Sequence, residues 1–136
     1  MHAFKYDVSL RFFSPIIAPS EICKQLGLDP EWQNTIGEPR TTPKGVPLGG
    51  VYKNSYCCFS FNQQEDEELS DMLNRIVDDL IQHKDLFSRI RDNGGRSEFF
   101  VGWYSSGNTG DTFSYELLNK ISALQIDLAL DVYGGD

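Results

Sequence analysis

The closing stretch Phe113–Asp136, FSYELLNKISALQIDLALDVYGGD, decides the fold class. Ser114 stands where a helix N-cap belongs, and Leu117, Leu118 and Ile121 follow at helical spacing. Phe113 sits where a hydrophobic staple would meet Leu118. After Leu124 the period drops to two. Ile126, Leu128, Leu130 and Val132 point one way, and Asp127, Ala129 and Asp131 point the other. A helix that feeds a half-apolar strand predicts a sheet with one face covered and one face wet.

The same alternation recurs upstream. From Phe4 to Ser14, Phe4, Tyr6, Val8, Leu10 and Phe12 form an apolar face against Lys5, Asp7, Ser9 and Arg11. In Val51–Phe61, Cys57, Phe59 and Phe61 alternate with Tyr56, Cys58 and Ser60, and in Arg96–Ser105, Phe99, Val101 and Trp103 alternate with Phe100, Gly102 and Tyr104. Between the strands lie helical patterns. Pro19 and Gly27 bracket a short helix with Ile22, Cys23 and Leu26 inward. The acidic run Glu65–Glu68 suits a helix start, and Leu69, Met72, Leu73, Ile76, Val77, Leu80 and Ile81 mark a long core helix over Glu67–His83. Lys84–Asn93 reads as a further helix that buries Leu86, Phe87 and Ile90 and closes on Gly94 or Gly95.

Leu28–Gly50 is rich in Pro and Gly and reads as a long loop, with Trp32 either pinning it to the core or meeting a partner. Its Gly-Pro-Lys content does not make a phosphate loop, since GxxxxGK[ST] is absent. The expected architecture is one α+β domain over residues 1–136. It is a two-layer sandwich, a mainly antiparallel sheet of about four strands with helices on one face.

Composition narrows the partners. The 136 residues carry 20 Asp and Glu against 12 Lys and Arg, a net charge of −8 that disfavours nucleic acid and fits a basic protein partner. No apolar run reaches membrane-spanning length, and MHAFKYDVSL lacks the regions of a signal peptide, so a cytoplasmic location is expected. Cys23, Cys57 and Cys58 make no disulfide framework. With His2 and His83 isolated, no ligand spacing for a metal arises, and no cofactor is expected.

The early strand, the PSEICKQLGLDP helix, the GEPR…PKG loop, the Gly-Gly turn into an aromatic strand and the FSYELLNKISALQIDLALDVYG ending follow one another over nearly the whole chain. In this order they resemble the bacterial domains of unknown function grouped as family 4279. Members often have a Trp late in the second strand, where this chain has YCCFSF. The resemblance implies a small α+β domain in a bacterial cytoplasm and supplies no catalytic residues.

Two chemistries remain. The wet sheet face gathers Asp7, Ser9, Arg11, Asp127 and Asp131, but residues four apart on a strand lie roughly 13 Å apart, too far for Asp127 and Asp131 to form a glycosidase pair. Asp7 meets one of them only if the first and last strands are neighbours. Arg11 is expected to form a cross-strand ion pair with such an aspartate. No GxSxG is present, and no catalytic residue is assigned. The favoured expectation is therefore a non-enzymatic acidic binding protein, an immunity protein that neutralises a toxin by direct contact. The alternative is a small-ligand receptor or hydrolase that uses the sheet face. Expected partner contacts are Asp71, Asp78 and Asp79 on the long helix, or Phe100, Tyr104, Asp127 and Asp131 on the sheet.

Overall fold

Strand β1, Lys5–Ser14, occupies the middle of the sheet, and its inward residues Val8, Leu10 and Phe12 are buried as the alternation predicts. The computed structural model describes residues 3–134; His2 and the final Gly135 and Asp136 lie outside them. The remaining elements are α1 (Pro19–Leu26), β2 (Trp32–Asn34), β3 (Pro39–Thr41), β4 (Pro47–Val51), β5 (Ser55–Phe61), α2 (Leu69–Leu80), α3 (Lys84–Asp92), β6 (Arg96–Ser105), α4 (Tyr115–Ala123) and β7 (Ile126–Gly134).

The main sheet has five strands in the order β2-β5-β1-β6-β7, one more than expected. Every pairing is antiparallel except β6 with β7. That exception follows from connectivity, because α4 carries the chain back so that β7 starts beside the start of β6. The fifth strand comes from the stretch 28–50, read from sequence as loop. Its Trp32–Asn34 segment pairs with β5, and β3 and β4 form a separate two-stranded hairpin. These strands are three to five residues long and exposed, so no burial pattern betrays them.

All four helices contribute to one core with the inward sheet face. Helix α2 buries Leu69, Met72, Leu73, Ile76, Val77 and Leu80, each such side chain stabilising the fold by about 1.5–3 kcal/mol. Its first turn is capped from a distance, since Asp111 accepts from the Ser70 N–H at 2.9 Å and from the Ser70 hydroxyl at 3.0 Å. Helix α4 has its predicted cap, with Ser114 Oγ accepting from the Leu117 N–H at 3.1 Å. Gly94 takes the left-handed conformation after α3 at φ +86°. Gly95 has a different reason to be glycine, because a Cβ there would lie 2.4 Å from the Phe13 carbonyl oxygen.

Several expectations fail at the margins. Ile81 falls in a single 3₁₀ turn after α2 and is exposed. Leu118 is also exposed, while Phe113 packs on the core. Cys23, expected inside, is only half-buried beside the buried Ile22 and Leu26. Along β7 exposure climbs from 5% at Ile126 to 46% at Leu130 and 59% at Val132, so the predicted inward stripe leaves the core. β7 is an edge strand, and the helices cover only its beginning.

Candidate interaction face

The strand registers lay out the uncovered face row by row. Lys5, Tyr104 and Tyr133 stand abreast on β1, β6 and β7, and the next row is Asp7, Gly102 and Asp131. Then come Ser60, Ser9, Phe100 and Ala129, followed by Trp32, Cys58, Arg11, Glu98 and Asp127. β6 therefore separates β1 from β7, and Asp7 and Asp131 face each other across a residue with no side chain.

Tyr104 fills that gap. Its hydroxyl donates to Asp7 Oδ2 at 2.9 Å, and a Cβ on Gly102 would stand 3.2 Å from the same hydroxyl. Tyr133 stacks on Tyr104 with ring centroids 5.2 Å apart and planes 10° from parallel, and its hydroxyl donates to Asp131 Oδ2 at 2.5 Å. Hydrogen bonding to Asp7, reinforced by its charge, raises the Tyr104 pKa, and Asp131 does the same for Tyr133. Both phenols are thus held neutral as donors, and each carboxylate keeps free lone pairs towards solvent.

Beside this pair runs a groove of about 440 Å³, whose floor and walls include Ser9, Arg11, Ser60, Phe100 and Gly102. Arg11 does not reach Asp127 or Asp131, contrary to expectation. Its guanidinium lies 3.6 Å over the Phe100 ring and 3.9 Å from Glu98. Glu31, just before β2, accepts a short hydrogen bond from Ser60 at the rim. The Ser9 hydroxyl points to the Phe100 carbonyl at 3.5 Å.

The residues expected to meet a partner divide into two sets. Phe100, Tyr104 and Asp131 come together on the open face. Asp127 shares that face but lies four residues down β7 from Asp131 and pairs with Arg91 at 3.6 Å. Asp71, Asp78 and Asp79 lie on α2, across the core from this face. Lys120 of α4 binds Asp78 at 2.8 Å and donates to the side-chain oxygen Oδ1 of Asn74 at 3.0 Å, so the Asp78 carboxylate of that acidic surface is already paired. Two members of the cluster, Tyr133 and Gly102, were not singled out from the sequence. The parity of β7 puts Tyr133 on the Asp127–Asp131 side, which is signal enough to find it.

Among the described residues no three His, Cys, Asp or Glu side chains gather as a metal site, and no helix is long and apolar enough to cross a membrane. No curated protein matches the chain, and neither does any solved structure. A family model described as a domain of unknown function, DUF4279, matches residues 2–135, and the chain belongs to that family.

Proposed function

We propose that the chain is a non-enzymatic acidic binding protein, an immunity protein that neutralises a basic bacterial toxin by direct contact through its open sheet face. The observation that carries this reading is the Tyr104–Tyr133 stack bracketed by Asp7 and Asp131. Rigid aromatic rings ringed by carboxylates suit the Lys and Arg side chains of a cationic protein, through ring faces and charge-assisted hydrogen bonds together. The net charge of −8 speeds the encounter by steering. The sheet face is favoured over α2 because Lys120 already engages Asp78 there.

The rival reading is a small-ligand receptor or a hydrolase on the same sheet face, the hydrolase using Asp7 and Asp131, which stand two strand spacings apart, or about 10 Å between backbones. Neither carboxylate sits in an apolar pocket of the kind a general acid uses: Asp7 is exposed, Asp131 is half-buried on an edge strand, and each already accepts a phenol hydroxyl. Binding therefore ranks first.

The test starts from capture of partners from the native host. Support requires a basic protein that is toxic when expressed alone and harmless when co-expressed with this chain. Its affinity should fall with salt, and Tyr104→Ala or Asp7→Lys should weaken it at least tenfold, whereas Asp79→Lys should not. If Asp79→Lys abolishes binding while Tyr104→Ala is silent, the partner sits on α2 and the assignment of the face is wrong. Recovery of a small metabolite in place of a protein supports the rival.

A further inference from the structure

The sheet ends in two edges of unequal character. β2 offers three residues, too short to template another strand. β7 offers nine, in unbroken register with β6 and without proline, lysine or bulge. On its helix side Leu130 and Val132 stand exposed, an apolar stripe with no strand beside it among the described residues. An edge of this length and composition is a template for pairing.

We propose that β7 is a homodimer interface, in which the β7 strands of two copies pair antiparallel about a two-fold axis at Leu130 and join two five-stranded sheets into one of ten. The argument is one of register. A two-fold axis perpendicular to the sheet keeps both helix layers on the same side. Only residues that point to the same face then stand opposite one another, so the register moves in steps of two. Leu130 is the midpoint of Ile126–Gly134, and with Leu130 opposite its own copy the strands overlap along their whole length. Leu128 then faces Val132, Asp127 faces Tyr133 and Asp131 faces Ala129. One step in one direction sets Asp127 opposite Asp131, and one step in the other sets Asp131 opposite itself. Like charges directly opposite are destabilising. The register of full overlap is thus also the one that sets no aspartate directly opposite another, and it closes the Leu130–Val132 stripe into a continuation of the core that Leu128 already borders.

Dimerisation and toxin binding separate by salt. Two copies that each carry −8 repel, so salt strengthens the dimer, whereas it weakens a cationic partner on the open face. Sedimentation of the pure chain at high micromolar concentration should give twice the monomer mass, more completely as salt is added. Leu130→Lys should raise the dissociation constant at least tenfold with the circular dichroism of the fold intact, and Val132→Lys serves if that variant does not fold. In a Cys23→Ser background, Leu130→Cys should cross-link to its own copy under mild oxidation and Ala129→Cys should not. A wild-type chain that stays monomeric across the concentration and salt range overturns the proposal. So does a dimer that both lysine variants leave intact, or Ala129→Cys cross-linking as fast as Leu130→Cys.

Discussion

The Tyr104 hydroxyl reaches Asp7 across the bare backbone of Gly102. The hydrogen bond is made diagonally between β6 and β1, and it exists because the residue directly opposite Asp7 has no side chain to block the ring. A two-strand constellation therefore depends on one missing Cβ.

Gly102→Ala tests that dependence. Its Cβ would stand 3.2 Å from the Tyr104 oxygen and 3.4 Å from Cζ, closer than ordinary contact. Tyr104 is 43% exposed, so the phenol can swing outward without moving the strands. Global stability should change by less than about 1 kcal/mol. The Tyr104 pKa should fall towards the ordinary tyrosine value as its hydroxyl leaves Asp7, and Asp7→Asn should move it in the same direction. Phenolate absorbance titrations read this directly. If both variants titrate as the wild type does, the Asp7 contact is not what raises the pKa.

Two other tyrosines govern the alkaline limit. Burial pushes Tyr6 and Tyr56 up to about 12 from 10.0, with the Glu67 charge adding at Tyr6 and the neighbouring Cys58 adding at Tyr56. The Tyr6 hydroxyl also donates to the Glu67 carbonyl at 2.5 Å. A phenol that ionises later in the folded chain than in the unfolded one stabilises the fold fully below pH 10, and that contribution drains away as pH rises towards 12. The unfolding free energy should therefore drop across this window, by up to about 1.4 kcal/mol per pH unit for each such group. Tyr6→Phe should flatten the slope in denaturant titrations at successive pH values. An unchanged slope would mean that Tyr6 ionises alike in both states.

The core helix offers a contrast between neighbours. Leu80 is 4% exposed in the last turn of α2, and Ile81 beside it is 50% exposed. Leu80→Ala should cost about 2–5 kcal/mol, through lost transfer energy and the cavity left behind. Ile81→Ala should stay within about 0.5 kcal/mol, as surface substitutions do. Equal losses from the two in a urea titration would show that the 3₁₀ turn after α2 is packed differently.

That contrast marks what local pattern can and cannot show. The period of α2 identifies six buried residues correctly but runs one residue too far, since Ile81 matches the spacing while the backbone has tightened. β1 and β6 lie inside the sheet, so their alternation translates directly into burial. β7 alternates just as cleanly, yet Leu130 and Val132 are exposed, because being at an edge is a property of strand order. The same holds for the candidate face. Asp7 and Asp131 are legible as wet-side carboxylates, but their meeting across Gly102 requires β6 between β1 and β7, which no local period encodes. β2, β3 and β4 carry no periodic signal because backbone pairing, not an apolar stripe, makes them strands.

The three cysteines should react in the order of their exposure. Cys57 lies in the core on the inward face of β5, and burial pushes its thiol up to about 12 from 9.0. Cys58 faces the other way, opposite Trp32 of β2, and is 7% exposed. Cys23 is half-buried on α1, and burial raises its thiol as well. The thiolate is the reactive form, so the raised pKa of Cys23 and Cys57 slows their labelling at neutral pH, and access ranks the three sites. Under native conditions an alkylating reagent should modify Cys23 first and slowly, Cys58 later, and Cys57 only at the rate of global unfolding. Mass spectrometry of peptides over a time course gives the order. Early modification of Cys57 would mean that β5 leaves the sheet in local openings, and rapid reaction of Cys23 at neutral pH would reveal an activated thiolate that its surroundings do not explain.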